Sequence, residues 1–111
     1  MTRIIYNKLI RDRIPEIIQA EGKRFDIEIM PDAEYRQALL AKLSEEAAEA
    51  RDASPEKLTI ELADLFEVID AVLAAHGIDQ GEVLRVQQER RAKRGGFEQR
   101  LKLLWVEEKG G

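Results

Sequence analysis

Apolar and polar positions along the chain fall into four helical stretches and two alternating ones. The first helical stretch begins with Pro15, runs to Glu21 and stops at Gly22. Proline at a first helical position and glycine past the last predict a short helix there. Residues 24–30 alternate, with Phe25, Ile27 and Ile29 on one face, and predict a strand that Pro31 ends. Asp32 is placed to cap a long helix over about 33–52. Ser54-Pro55-Glu56 then supplies a capping serine, a proline at the first position and an acid in the first turn. That third helix runs to His76 and stops at Gly77. Asp79 caps a fourth, which runs to about Arg94 and ends at Gly95-Gly96. Leu101, Leu103 and Trp105 alternate within 97–106 and predict a short strand paired with 25–29. The pattern describes a mainly α fold, an antiparallel helical hairpin or bundle with a minor two-stranded β element, in a single domain over residues 1–111.

The second and third helices are joined by only a few residues and so lie antiparallel, with the turn near Ala53 and Ser54. Counting outward, residue 46 lies level with 61, and 49 with 58. On a wheel of about 100° per residue, Glu46 falls inside an apolar arc, between Tyr35 and Leu39 and followed by Ala50, Leu43 and Ala47. Glu49 sits at the edge of that arc and Glu45 farther toward solvent. On the next helix Glu61 falls between Val68 and Val72, with Leu65, Leu58, Ile69 and Leu62 filling the arc and Asp64 at its edge. Each helix therefore carries one acid inside its apolar stripe and another three residues later on its rim, so four carboxylates converge on one volume.

That arrangement is expensive, because a carboxylate in an apolar site takes a proton or costs several kcal/mol. Lys42 and Lys57 are the nearby bases, each one turn away. Composition narrows the remaining answers. The chain has no cysteine and one histidine, which removes disulfides, thiol nucleophiles, zinc ribbons and any two-histidine metal site. A metal here must be held by oxygen, so Mg²⁺ or Mn²⁺ is preferred to Zn²⁺. A net charge of -4 argues against nucleic acid as a partner. No stretch is long and apolar enough to span a membrane, and the opening residues lack the core of a signal peptide, so the expected location is the cytoplasm. Charged residues make up 36% of the chain, which favours a plainer reading of Glu45-Glu46-x-x-Glu49 as a solvated face with i,i+4 pairs. A dimer interface could also bury these acids against basic residues of a partner. The Glu61/Asp64 pair resists the solvated reading, because its helix is apolar almost all round over 62–75.

The spacing Glu45-Glu46-x-x-Glu49, eleven residues, then Glu61-x-x-Asp64 resembles the EExxE…ExxD signature of the all-α nucleoside triphosphate pyrophosphatases, which include the MazG proteins, dimeric dUTPases and phosphoribosyl-ATP pyrophosphohydrolase. The opening Tyr6-Asn7-Lys8-Leu9-Ile10-Arg11-Asp12-Arg13-Ile14-Pro15 and the later Lys93-Arg94-Gly95-Gly96-Phe97 are similar to a small MazG-like, phosphoribosyl-ATP pyrophosphohydrolase-like subgroup. The resemblance covers about residues 5–100. It implies Glu46, Glu49, Glu61 and Asp64 as metal ligands, and Glu45, Glu46 and Glu61 as the carboxylates that carry catalysis. It also implies Mg²⁺-dependent cleavage of a nucleotide between its α and β phosphates, a house-cleaning role on non-standard nucleotides, and assembly as a homodimer or homotetramer. The apolar 62–75 stretch supports assembly independently, since one hairpin cannot cover it.

Phosphates also require fixed positive charge. Arg90, Arg91, Lys93 and Arg94 form a basic cluster beside Gly95-Gly96, where the backbone can approach a phosphate closely; the same cluster also suits a helix C-terminus. Lys8 and Arg11 are a second candidate set. Trp105 could stack on a base, though a lone tryptophan is more often core or interface, and His76 reads as a helix-terminal residue. Two other functions stay open: a non-catalytic helical module that binds a metal or a basic partner, and a phosphohydrolase acting on phosphoribosyl-ATP or another phosphate compound.

Overall fold

The computed structural model describes residues 2–110; Met1 and Gly111 of the expected domain lie outside the described residues. Four helices form: α1 (Ile14–Ala20), α2 (Asp32–Asp52), α3 (Leu58–Ala75) and α4 (Gln80–Arg94). The chain divides into two compact units, Met1–Asp79 and Gln80–Gly111. No helix among the described residues is long and apolar enough to cross a membrane.

The first unit is built on the packing of α2 against α3. Its helix ends follow from local chemistry. Pro15 lies in the first turn of α1, where its missing N–H breaks no bond. Gly22 (φ 74°) and Gly77 (φ 64°) take the left-handed conformation that stops α1 and α3. At each stop, two backbone N–H groups return to the last carbonyls: Gly22 to Gln19 and Lys23 to Ile18, then Gly77 to Ala74 and Ile78 to Leu73. These are paired C-terminal closures in which glycine avoids the clash of a Cβ. His76 adds a ring contact, Nδ1 to the carbonyl oxygen of Val72 at 2.9 Å, consistent with its expected helix-terminal role.

Two helix starts differ from expectation. Pro31, in extended conformation, is the residue before α2, and Asp32 is the first helical residue instead of its cap. There its charge still opposes the positive end of the helix dipole. The Ser54 carbonyl accepts from the N–H groups of Lys57 and Leu58, both at 3.0 Å, so residues 55–57 form a turn and α3 begins at Leu58.

The two-stranded element is absent among the described residues. Alternation is present in both segments, but each leaves its apolar side chains exposed: Ile29 is 96% accessible, and Leu101, Leu103 and Trp105 are all exposed. A strand needs a neighbour for its backbone groups and a face to cover, and neither segment has one. The buried hydrophobic side chains among the described residues are Leu39 on α2 and Val68 on α3. They lie on the stripes that the wheel assigned to the hairpin seam, with Leu43, Leu65, Ile69 and Val72 half-buried around them.

The second unit holds α4 and the residues after it. Gly95 (φ 80°) ends the helix, with its N–H bonded to the Arg91 carbonyl at 2.7 Å. Arg85 pairs with Glu82 and Glu89 along the helix, and Arg91 pairs with Glu98 beyond it.

Candidate metal centre

Glu46 on α2 and Glu61 and Asp64 on α3 are all half-buried, and each offers a carboxylate oxygen such that the three oxygens lie within 4.8 Å of one another. Their positions follow from the hairpin. The five-residue connection sets α3 antiparallel to α2, residue 46 faces residue 61, and Asp64 follows one turn along the same side of α3. Three charges this close, at an effective dielectric of about 20, repel by roughly 3.5 kcal/mol per pair. The cluster persists only if that repulsion is relieved.

The chain's own side chains relieve part of it. Arg11 Nη2 donates to Asp64 Oδ1 at 2.9 Å, from a position 53 residues away in sequence. Glu46 is relieved differently. Burial, then the neighbouring charge of Glu49, pushes its carboxyl above the ordinary range; Lys42 opposes this, while Asp64 and a hydrogen bond with Glu49 add to it. Glu46 Oε2 and Glu61 Oε2 are both shut off from solvent and have no hydrogen-bond partner. Buried carboxylate oxygens rarely go unpaired, and a role in holding an ion is one of the physical reasons they do.

The donor set fits a divalent ion. It is all oxygen and all carboxylate, the chemistry that Mg²⁺ and Mn²⁺ select. Oxygens bound to Mg²⁺ at about 2.1 Å lie at most about 4.2 Å apart. A cluster within 4.8 Å therefore closes on an ion by small side-chain rotations.

The remaining sequence candidates are placed as follows. Glu49 is exposed and lies beside Glu46, but it is not in the three-acid group. Glu45 is exposed on the rim, 4.0 Å from Lys8 Nζ. Lys8 and Arg11 thus both reach the acid-bearing face of the hairpin from the segment before α1. Arg90, Lys93 and Arg94 lie in the last turns of α4, all exposed, in the second unit. Arg94 also lines a cleft of about 330 Å³ with Gly95, Gly96 and Phe97. Arg11 as the partner of Asp64 was not foreseen from sequence. No periodicity links residues so far apart, and the only signal was that Arg11 belongs to a basic segment.

Comparison with known proteins gives the family of the chain. A stretch of 54 residues, 49% of this chain, is 48% identical to an uncharacterised protein of Mycolicibacterium smegmatis; the match spans 55% of that protein's length. No solved structure matches. Residues 6–91 match the family described as phosphoribosyl-ATP pyrophosphohydrolase. That span holds α1, α2, α3, most of α4 and the whole acid cluster. With more than half of its length inside that match, the chain belongs to the phosphoribosyl-ATP pyrophosphohydrolase family, within the MazG-like all-α nucleoside triphosphate pyrophosphatase superfamily.

Proposed function

We propose that the protein is a Mg²⁺-dependent nucleotide pyrophosphohydrolase. It cleaves a nucleoside triphosphate, or a related nucleotide, between the α and β phosphates and releases a monophosphate and pyrophosphate. Its role is the clearance of non-standard nucleotides in the cytoplasm. The observation that carries this reading is the meeting of Glu46, Glu61 and Asp64 with two buried oxygens lacking partners. Family membership supplies the reaction class.

Glu46, Glu61 and Asp64 would hold the ion, with Glu49 entering by rotation from its place beside Glu46. When bound, Mg²⁺ supplies the charge that gathers phosphate oxygens and acidifies water. Glu46 and Glu61 would carry catalysis by holding that charge from the two helices of the hairpin. Glu45, exposed and only loosely paired with Lys8, is positioned to accept a proton. Lys8 and Arg11 supply fixed positive charge for the phosphates beside the acid cluster of the first unit. Arg90, Lys93 and Arg94 are a separate basic cluster at the end of α4, also suited to phosphate. The protein works as a homodimer or homotetramer. The support is the outer face of α3, where Ile60 and Phe66 are 61% and 66% accessible.

The family's own description favours a second reading, in which the nucleotide is phosphoribosyl-ATP. The bond broken is the same. Pyrophosphate release from a panel of nucleoside triphosphates and phosphoribosyl-ATP, with and without Mg²⁺, tests both. The expected result is pyrophosphate with a monophosphate, only when Mg²⁺ is present. Release of the terminal phosphate, or of nothing from any of them, refutes the proposal.

A further inference from the structure

Arg11 occupies a position that a divalent ion also needs. Its guanidinium holds Asp64 Oδ1 at 2.9 Å, while the adjacent buried oxygens of Glu46 and Glu61 have no partner. A dication bound among the three acids draws on the same Asp64 charge and repels the guanidinium. The backbone that carries Arg11 is held: Ile14 N–H bonds the Arg11 carbonyl at 3.1 Å, at the start of α1. Its side chain is 60% accessible and is tied to Asp64 by an exposed ion pair, and such pairs are weak and screened by salt. Leaving Asp64 therefore costs the guanidinium little. Three residues earlier Lys8 makes a similarly loose contact, 4.0 Å from Glu45 and half exposed. One short segment thus brings two exposed cations to the edge of a cluster built to attract a dication. A guanidinium freed there meets phosphate oxygens in the geometry it binds best, a planar fork against two acceptors.

Building on the pyrophosphohydrolase reading, we propose that Arg11 is an exchange residue: it neutralises Asp64 in the metal-free protein and passes to the pyrophosphate moiety of the nucleotide when the divalent ion takes Asp64. Metal loading and phosphate capture are thereby coupled through one side chain. The metal releases the arginine, and the arginine then reads the phosphates that the metal brings.

The test uses the full chain and two ligands that need no base: Mn²⁺ alone, titrated by electron paramagnetic resonance, and inorganic pyrophosphate in saturating Mg²⁺, titrated by calorimetry. Arg11→Gln removes the competitor of the ion and should bind Mn²⁺ about two- to fivefold tighter, the range set by an exposed ion pair. The same variant should bind pyrophosphate at least about tenfold more weakly, because a charge-assisted fork is lost. Arg11→Lys should return Mn²⁺ affinity to near the wild-type value and recover part of the pyrophosphate affinity. Opposite signs for the two ligands distinguish exchange from a merely structural arginine, whose loss would weaken both. Weakening of both, unchanged Mn²⁺ affinity in Arg11→Gln, or equal retention of pyrophosphate overturns the exchange while leaving the metal site standing. Failure of the wild-type protein to bind Mn²⁺ overturns the metal site, and the exchange with it.

Discussion

At the residue scale, Glu46 keeps one oxygen away from water without giving it a hydrogen bond. Its pKa is raised, chiefly by burial and then by Glu49. A raised carboxyl favours folding while it is protonated, below its unfolded pKa. That contribution is lost as pH rises through the folded value. The metal-free protein should therefore be less stable at neutral pH than Glu46→Gln, which carries no charge there. We expect the variant to melt a few degrees higher, about 2–5 °C, in a chelator at about pH 7, with the gap closing toward about pH 4. Equal melting curves at neutral pH would mean that burial of Glu46 carries no cost. Helical period singled out four acids, Glu46 and Glu61 inside the apolar arcs and Glu49 and Asp64 on their rims; of these Glu46, Glu61 and Asp64 form the close group, and Glu49 stands beside it. Their mutual distances were not legible, and neither was the pairing of Arg11, a candidate for phosphate, with Asp64. A wheel places residues on faces of one helix, whereas Arg11 reaches Asp64 through tertiary structure.

At the element scale, helix punctuation was the most readable part of the chain. Gly22, Gly77 and Gly95 end helices where expected, each in the left-handed conformation. Starts shifted by one to three residues because backbone closure by the Ser54 carbonyl, and extended Pro31, outweighed side-chain caps. The two strands failed for a different reason. Alternation in Phe25, Ile27 and Ile29 specifies a face but not a partner, and the segment stays extended and exposed. On α3 the same argument runs outward. Val68 faces α2 and is 9% accessible, while Ile60 and Phe66 on the same helix are 61% and 66% accessible. We propose that a second copy covers this face. Phe66→Glu should shift the protein toward monomer in sedimentation velocity, and a wild-type protein that sediments as a monomer at micromolar concentration would rule the assembly out.

At the scale of the whole molecule, composition and topology together decide the chemistry. Without cysteine, and with a single histidine spent on closing α3, metal chemistry must rest on carboxylates. The α2–α3 hairpin is the element that can bring them together, and the family match covers it completely. Function therefore reduces to whether the cluster holds a dication. Titration of Mn²⁺ into the wild-type protein and Glu61→Gln, followed by electron paramagnetic resonance, asks this directly, with Glu67→Gln on the exposed side of α3 as the control. The account predicts saturable binding in wild type and control, and a loss of at least about tenfold in affinity for Glu61→Gln, since a buried ligand and its charge are removed. Equal binding by all three proteins, or none by the wild type, would contradict it.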